Sequence, residues 1–341
     1  MIGCKTLIYL IAVLVALTHF VTARAEADPS KDETIPDKVE TPNYQNKPII
    51  PLTEYLSLGL KTETFVASHT SYEFGNPFPP HQAPLSRLEF PMDSFWAGGK
   101  FRANFPRFSV GAEGLTNVSM DTPGHMCDSD WDDPQRPYRK TIYSESKCRF
   151  MPSYIVRTDM DLKISDWVGQ PSWLDLRPLV GFRWENFHFI THDGLQVYPG
   201  SGEPPTPLPG DGIDFKQTYW QYFTGARASL DLGKPSVLNS LTMLFQLDWA
   251  YVDGENWDHH LLRGQRFTME ETSGDAWHGA AELSAGLTKE VSLSFAADFL
   301  MLSTTGSHRL LIPGIIDYQF SNGVRVWSEQ VSFSLTLAYA F

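Results

Sequence analysis

The sequence predicts an all-β chain, a transmembrane antiparallel β-barrel of about ten strands with long extracellular loops, and three observations point to it. Apolar and polar residues alternate with a period of two over membrane-spanning lengths. The connections between such segments alternate between short and long. The N-terminus reads as an export signal, and the rest of the chain is acidic and rich in aromatic residues.

The periodicity is plainest from Leu241, where Leu241, Met243, Phe245, Leu247, Trp249 and Tyr251 share one parity and Thr242, Gln246, Asp248 and Ala250 stand between them. Successive side chains of a strand point to opposite faces, so one face is apolar and the other largely polar. Residues 331–341 repeat the pattern with serines, threonine and alanines between, and residues 154–164 repeat it against Arg157, Asp159, Asp161 and Lys163. Charges at alternate positions must face water, which in a barrel is the lumen. Arg157, Asp159, Asp161, Arg183, Glu185, Arg227 and Asp248 are therefore read as a charged network filling it.

Segments of this kind begin near residues 54, 86, 107, 150, 175, 217, 239, 277, 291 and 328. Their number is even, as bacterial barrels require. Short or moderate connections lie near 105–107, 165–172, 233–236 and 289–290, and long ones near 66–84, 119–149, 189–215, 253–275 and 303–326. Short turns belong to the periplasm and long loops to the outside, so both ends of the barrel are periplasmic.

Ahead of the barrel, residues 1–25 carry Lys5, an apolar run from Leu7 to Val21 and the small-residue pattern Ala23-Arg24-Ala25. This predicts a signal peptide cut near Ala25, with a membrane anchor as the competing reading. Residues 26–50, rich in proline, lysine and acids, read as a disordered periplasmic lead-in, which leaves 51–341 for the barrel. Cys4 leaves with the signal. The remaining pair, Cys127 and Cys148, is expected to form a disulfide in an oxidising compartment, closing a loop of about 20 residues worth roughly 3 kcal/mol, with two free thiols as the competing reading. A net charge of −13 excludes nucleic acid as a partner, because phosphate binding needs a basic face.

Two expected outer loops carry chemistry. Residues 127–133, CDSDWDD, place four carboxylates among seven residues, and crowded acids raise one another's pKa. Such a cluster is a solvated loop, a cation site, or a place where one acid holds a proton or a water. The next motif, Asn256-Trp257-Asp258-His259-His260, sets Asp258 and His260 two apart, so on an extended segment they share a face that His259 does not. A carboxylate beside His260 would fix its tautomer and support its positive charge, and His260 could then take a proton from a water held against Asp128 and Asp130. The same residue types also suit zinc or manganese. Asp132, Asp133 and His259 are read as loop surface.

These motifs, with the strand YIVRTDMDLKISDWV, the stretch VGFRWENFHFITHDG, the entry DFKQTYWQYFTGARASL and LDWAYVDGENWDHHLLRGQRFT, resemble the omptins, ten-stranded outer-membrane proteases. The resemblance runs in order through nearly the whole mature chain. It implies an endopeptidase of aspartic type that cuts polypeptides outside the cell, with Asp128 and Asp130 on one wall of a groove, Asp258 and His260 on the other, and no metal or cofactor. Where omptins have an acid two positions before the catalytic aspartate, this chain has Asn256. Residues 68–72 offer only His69 for the other pocket acid, although Glu255 and Asp253 could supply charge. At the positions where omptins hold lipopolysaccharide with basic residues, this chain reads Phe182, Trp184, Asn186 and Thr218, so that site is expected to be absent or altered. A barrel of the same ancestry that uses the groove for binding, as an adhesin or receptor, is the other function these residues allow.

Overall fold

The computed structural model describes residues 56–76, 82–164, 167, 169, 171 and 173–341. The chain divides into Met1–Ile49 and Ile50–Phe341, and the first unit, with the expected signal peptide and lead-in, lies outside the described residues. The second unit is built from strands β1 (Leu56–Phe65), β2 (His69–Phe74), β3 (Ser86–Pro91), β4 (Ser94–Asn104), β5 (Phe108–Asn117), β6 (Asp121–Asp130), β7 (Ile142–Phe150), β8 (Tyr154–Leu162), β9 (Leu174–Val197), β10 (Thr206–Gly233), β11 (Ser240–His260), β12 (Arg266–Gly286), β13 (Val291–Ile312) and β14 (Ile316–Ala340). All pairings are antiparallel.

The sheet closes twice. One ring runs β1-β4-β5-β8-β9-β10-β11-β12-β13-β14 and returns to β1; beyond it, β2, β3, β6 and β7 fill the gap between β14 and β9. Strands β9 to β14 are thus unbroken staves shared by both rings, while β1/β2, β3/β4, β5/β6 and β7/β8 are each one stave interrupted midway. The ten staves expected from the sequence are present. The ring with β1 ends at the short turns and is here called the turn end; the other is the hairpin end.

What the sequence presented as long loops is largely strand. Strand β10 alone has 28 residues, about 90 Å if extended, far more than an apolar band of about 25 Å needs. Strands that come after short turns begin at Phe108, Leu174, Ser240 and Val291, close to expectation. Of the five that come after long connections, one begins where expected, at Ser86, and four begin earlier, at Ile142, Thr206, Arg266 and Ile316. Above the apolar band the outward positions also become polar, so the contrast that marks a strand fades while the backbone goes on pairing.

At the four interruptions, polar side chains replace ladder bonds. The Val331 amide donates to Ser68 Oγ at 2.9 Å, the Ser68 amide to Asp93 Oδ1 at 2.8 Å, the Phe95 amide to Ser119 Oγ at 2.8 Å, and the His188 amide to Ser153 Oγ at 2.9 Å. Buried backbone groups must be paired, and these residues do it where the strands let go of one another.

The outer face of the turn-end ring is apolar, with Leu60, Leu247, Leu335 and Leu337 all exposed. Its lumen is the expected charged network: Arg157 reaches Glu63 at 3.0 Å and Glu113 at 2.7 Å, Arg183 reaches Asp248 at 3.3 Å, and Arg227 reaches Asp159 at 3.1 Å. Asp161 accepts from Arg177 at 2.9 Å, and Glu185 from Gln221 at 3.0 Å. Above the network, at the level of the interruptions, lies an aromatic core. Phe90 stacks on Phe215 at 4.4 Å, Phe150 packs on Phe189 at 4.5 Å, and Trp96 meets Phe150 and Phe187 edge-on, all fully buried. This layer lies between the charged lumen and the inward side chains of the hairpin end.

The expected disulfide is not formed; both cysteines are free. In the β6–β7 hairpin Cys127 pairs with Glu145, three residues short of Cys148. Cys127 faces outward, with the Tyr143 hydroxyl at 3.4 Å from its sulfur, whereas Cys148 is buried on the inner face. Strand parity sends the two thiols to opposite sides of the wall.

Candidate active site

Asp128 and Asp130 end β6, and Asp258 and His260 end β11, so all four stand at the rim of the hairpin end on inward positions. Around that ring β6 and β11 are separated by β7, β9 and β10 on one side and by β3, β2, β14, β13 and β12 on the other, which puts the two pairs on opposite walls. The sequence brings them there by alternation alone. In β6, Met126 and Asp128 turn in while His125 and Cys127 turn out. In β11, Asn256, Asp258 and His260 turn in while Trp257 and His259 turn out.

On the β11 wall, His260 Nε2 lies 3.2 Å from Asp258 Oδ2. The Tyr72 hydroxyl of β2 donates a hydrogen bond to the same oxygen, and its ring stacks on Phe215 at 5.4 Å. Asp258 is fully buried. Burial alone would raise its pKa, but the His260 charge, the hydrogen bonds from His260 and Tyr72, and the Arg266 charge hold it below the usual carboxylate range. It is therefore a committed anion beside His260 Nε2.

The opposite wall is tuned the other way. Asp128 is only 7% exposed, and burial followed by the charge of Asp130 pushes its carboxyl up to about 7, against the opposing pull of His260 and Arg263. Its Oδ1 has no hydrogen-bond partner and neither does Asp258 Oδ1. Two buried acids of opposite tuning, one ionised beside an imidazole and one near half-protonation, can hold a water between them and pass protons at neutral pH.

The remaining expectations divide. His259 is outside, stacked on Phe267 at 4.2 Å. Asp132 and Asp133 lie beyond the end of β6. Asp253 and Glu255 sit on outward positions of β11, so they cannot supply charge to the inner wall, and His69 has the parity opposite to Tyr72 and points away. Phe182, Trp184, Asn186 and Thr218 are on the outer wall, where Asn186 Nδ2 donates to Thr218 Oγ1 at 2.8 Å and Phe182 packs on Tyr222.

Sequence reasoning missed Tyr72 and Glu270. Glu270, on β12 directly across from Asn256, is buried, faces inward and accepts from His308 Nδ1 at 2.9 Å. Tyr72 lay in a stretch searched only for an acid. Glu270 lay in what read as a loop, although its register opposite Asn256 is fixed once residues 253–275 are taken as a hairpin.

With the geometry in place, comparison with known proteins decides the family. The omptin family model matches residues 95–303, well over half of the chain. The chain belongs to the omptin family. Among solved structures this omptin is similar to the outer membrane protease OmpT from Escherichia coli, with a TM-score of 0.74 and 14% identity over 85% of this chain and 97% of that one. At that identity the likeness establishes the fold, an outer-membrane β-barrel. The translocator domain of the autotransporter NalP from Neisseria meningitidis also aligns, at a TM-score of 0.32 and 10% identity over 84% of this omptin and 88% of that chain, too low to carry an argument. No match is found among curated proteins. Family and fold together make this omptin a bacterial outer-membrane protein.

Proposed function

We propose that this omptin is an endopeptidase of the aspartic type that hydrolyses polypeptides at the hairpin end, which faces the cell exterior. The observation that carries the reading is the facing of unlike walls. An ionised Asp258 lies 3.2 Å from His260 on one, and a carboxyl raised to about 7, Asp128, stands on the other. Water between the walls loses a proton to His260 as its oxygen attacks the scissile carbonyl, and Asp258 stabilises the imidazolium. Protonated Asp128 donates to the developing oxyanion, and Asp130 keeps that proton in place by repelling a second charge. His260 then returns its proton to the leaving amine, which breaks the peptide bond. No serine or cysteine nucleophile enters the scheme.

Membership of a protease family and the burial of Asp128, Asp258 and His260 at an open rim support the reading. The outer wall at Phe182, Trp184, Asn186 and Thr218 carries no charge, so activity independent of lipopolysaccharide belongs to the same proposal. The test is cleavage of a mixed peptide library by the refolded protein in detergent, with and without lipopolysaccharide, beside His260→Ala. Turnover by the wild type that the substitution abolishes supports the peptidase. A wild type that cuts nothing under either lipid condition but retains peptides would make the groove a binding site instead.

A further inference from the structure

Next to Asp258, on the same inner face, Asn256 and Glu270 stand directly opposite each other in the β11–β12 ladder. Directly opposed side chains lie about 5 Å apart at Cβ, close enough to act on one group. Both are at least nine-tenths buried: Asn256 is 5% and Glu270 1% exposed. The Asn256 carbonyl is already used, because Oδ1 accepts from Gln217 Nε2 at 3.1 Å, and Gln217 is itself fixed by the Thr70 hydroxyl at 2.7 Å. That leaves Asn256 Nδ2 without a partner. Glu270 is likewise half used. One oxygen accepts from His308 and the other, Oε2, is unpartnered.

The pairing with His308 is a fixed one. The imidazole is stacked against Phe74 at 4.6 Å and Phe320 at 6.1 Å, both rings nearly parallel to it. Held by those rings, His308 stays the partner of one Glu270 oxygen and offsets part of its charge. Asn256 Nδ2 and Glu270 Oε2 thus face each other across the ladder as an unfilled donor and an unfilled acceptor, with the Thr268 hydroxyl and Arg266 Nε, also unpartnered, next along the same face. Buried polar atoms without partners cost about 1–3 kcal/mol each, so a substrate that fills both is favoured over one that fills one or none.

We propose that Asn256 and Glu270 form a side-chain subsite for a carboxamide, so that this omptin cuts next to glutamine or asparagine; the proposal rests on the peptidase reading above. A carboxamide gives its oxygen to Asn256 Nδ2 and an N–H to Glu270 Oε2. A lysine or arginine side chain brings only donors, leaves Asn256 Nδ2 unmet and meets an acid already engaged by His308. Glutamate brings only acceptors, so it leaves Glu270 Oε2 unmet and sets a carboxylate against it. Leucine leaves both atoms empty.

The refolded full chain is given peptides of one backbone sequence carrying Gln, Asn, Lys, Arg, Glu or Leu at each position in turn, with the cut sites read by mass spectrometry. Cleavage beside Gln or Asn should exceed cleavage beside any of the other four by at least about tenfold. Asn256→Asp, which puts an uncommitted carboxylate on the same wall, should move the preference to Lys and Arg. Wild-type cleavage that favours Lys or Arg, or ignores the side chain, overturns the subsite and leaves the peptidase standing. An Asn256→Asp variant that keeps the carboxamide preference overturns it equally. If no peptide is cut by the wild type or the variant, both readings fall.

Discussion

His259 and His260 are adjacent in sequence and stand on opposite sides of one wall: His260 is buried 3.2 Å from Asp258, and His259 is outside, stacked on Phe267 at 4.2 Å. A strand turns every second side chain the other way, so only one of the two imidazoles can serve the cavity. His260→Ala should lower turnover of a peptide substrate by several orders of magnitude, whereas His259→Ala should leave it within about threefold of the wild type. Comparable losses from both would place the chemistry elsewhere.

Asp128 makes stability depend on pH. Its folded pKa of about 7 lies above the ordinary value of 3.8, so between those values the folded state binds a proton that the unfolded state has released. Stability from this group is therefore lost as pH rises from about 4 to about 7, and is level beyond. Asp128→Asn removes the group. Unfolding by denaturant in detergent should show the variant gaining on the wild type as pH rises through that window, by an amount on the order of a few kcal/mol. A difference that is flat in pH would mean that Asp128 is ionised like any surface acid.

Tyr72 acts through Asp258. Loss of its hydroxyl in Tyr72→Phe removes one of the contacts that keep Asp258 ionised, with the stacked ring left in place on Phe215. Turnover should fall by about tenfold, and the acid limb of the pH–rate profile should move upward. A slower enzyme with an unmoved profile would assign Tyr72 to packing alone.

The two thiols should behave as strangers. Cys127 is half-buried and faces outward, and Cys148 is buried on the inner face with its thiol pushed up to about 12 by burial. Of these two, a maleimide should attach slowly to Cys127 in the folded chain without reductant, and to Cys148 only after unfolding. Protection of both thiols that reductant relieves would restore the bridge.

The legibility of this chain followed the contrast between lipid and water. Where the barrel meets lipid, as from Leu241 to Tyr251, alternation marked strand, face and the members of the lumen network, Arg157 and Asp248 among them. Above the lipid both faces turn polar, and β10 and β14 continued unseen through stretches that read as loops. Asp258 and His260 were readable because two residues on a strand share a face at that spacing. Tyr72 and Glu270 were not, since each reaches the site by pairing with a distant strand, and register between strands is not written in either one. The cysteines failed for the same reason: an even count says nothing of the side to which each thiol points.

The interruptions divide the wall into halves of different build. Asp258 and His260 ride on β11, one of the continuous staves anchored along its whole length, while Asp128 and Asp130 ride on β6, beyond the gap at residues 118–120. One jaw of the cleft is thus the end of a continuous post, and the other is a separate panel joined to the membrane part where Ser119 and Ser153 take the place of ladder bonds. A substitution within that panel leaves the ladder β1-β4-β5-β8 below it, and with it the seal against lipid, hydrogen-bonded as before.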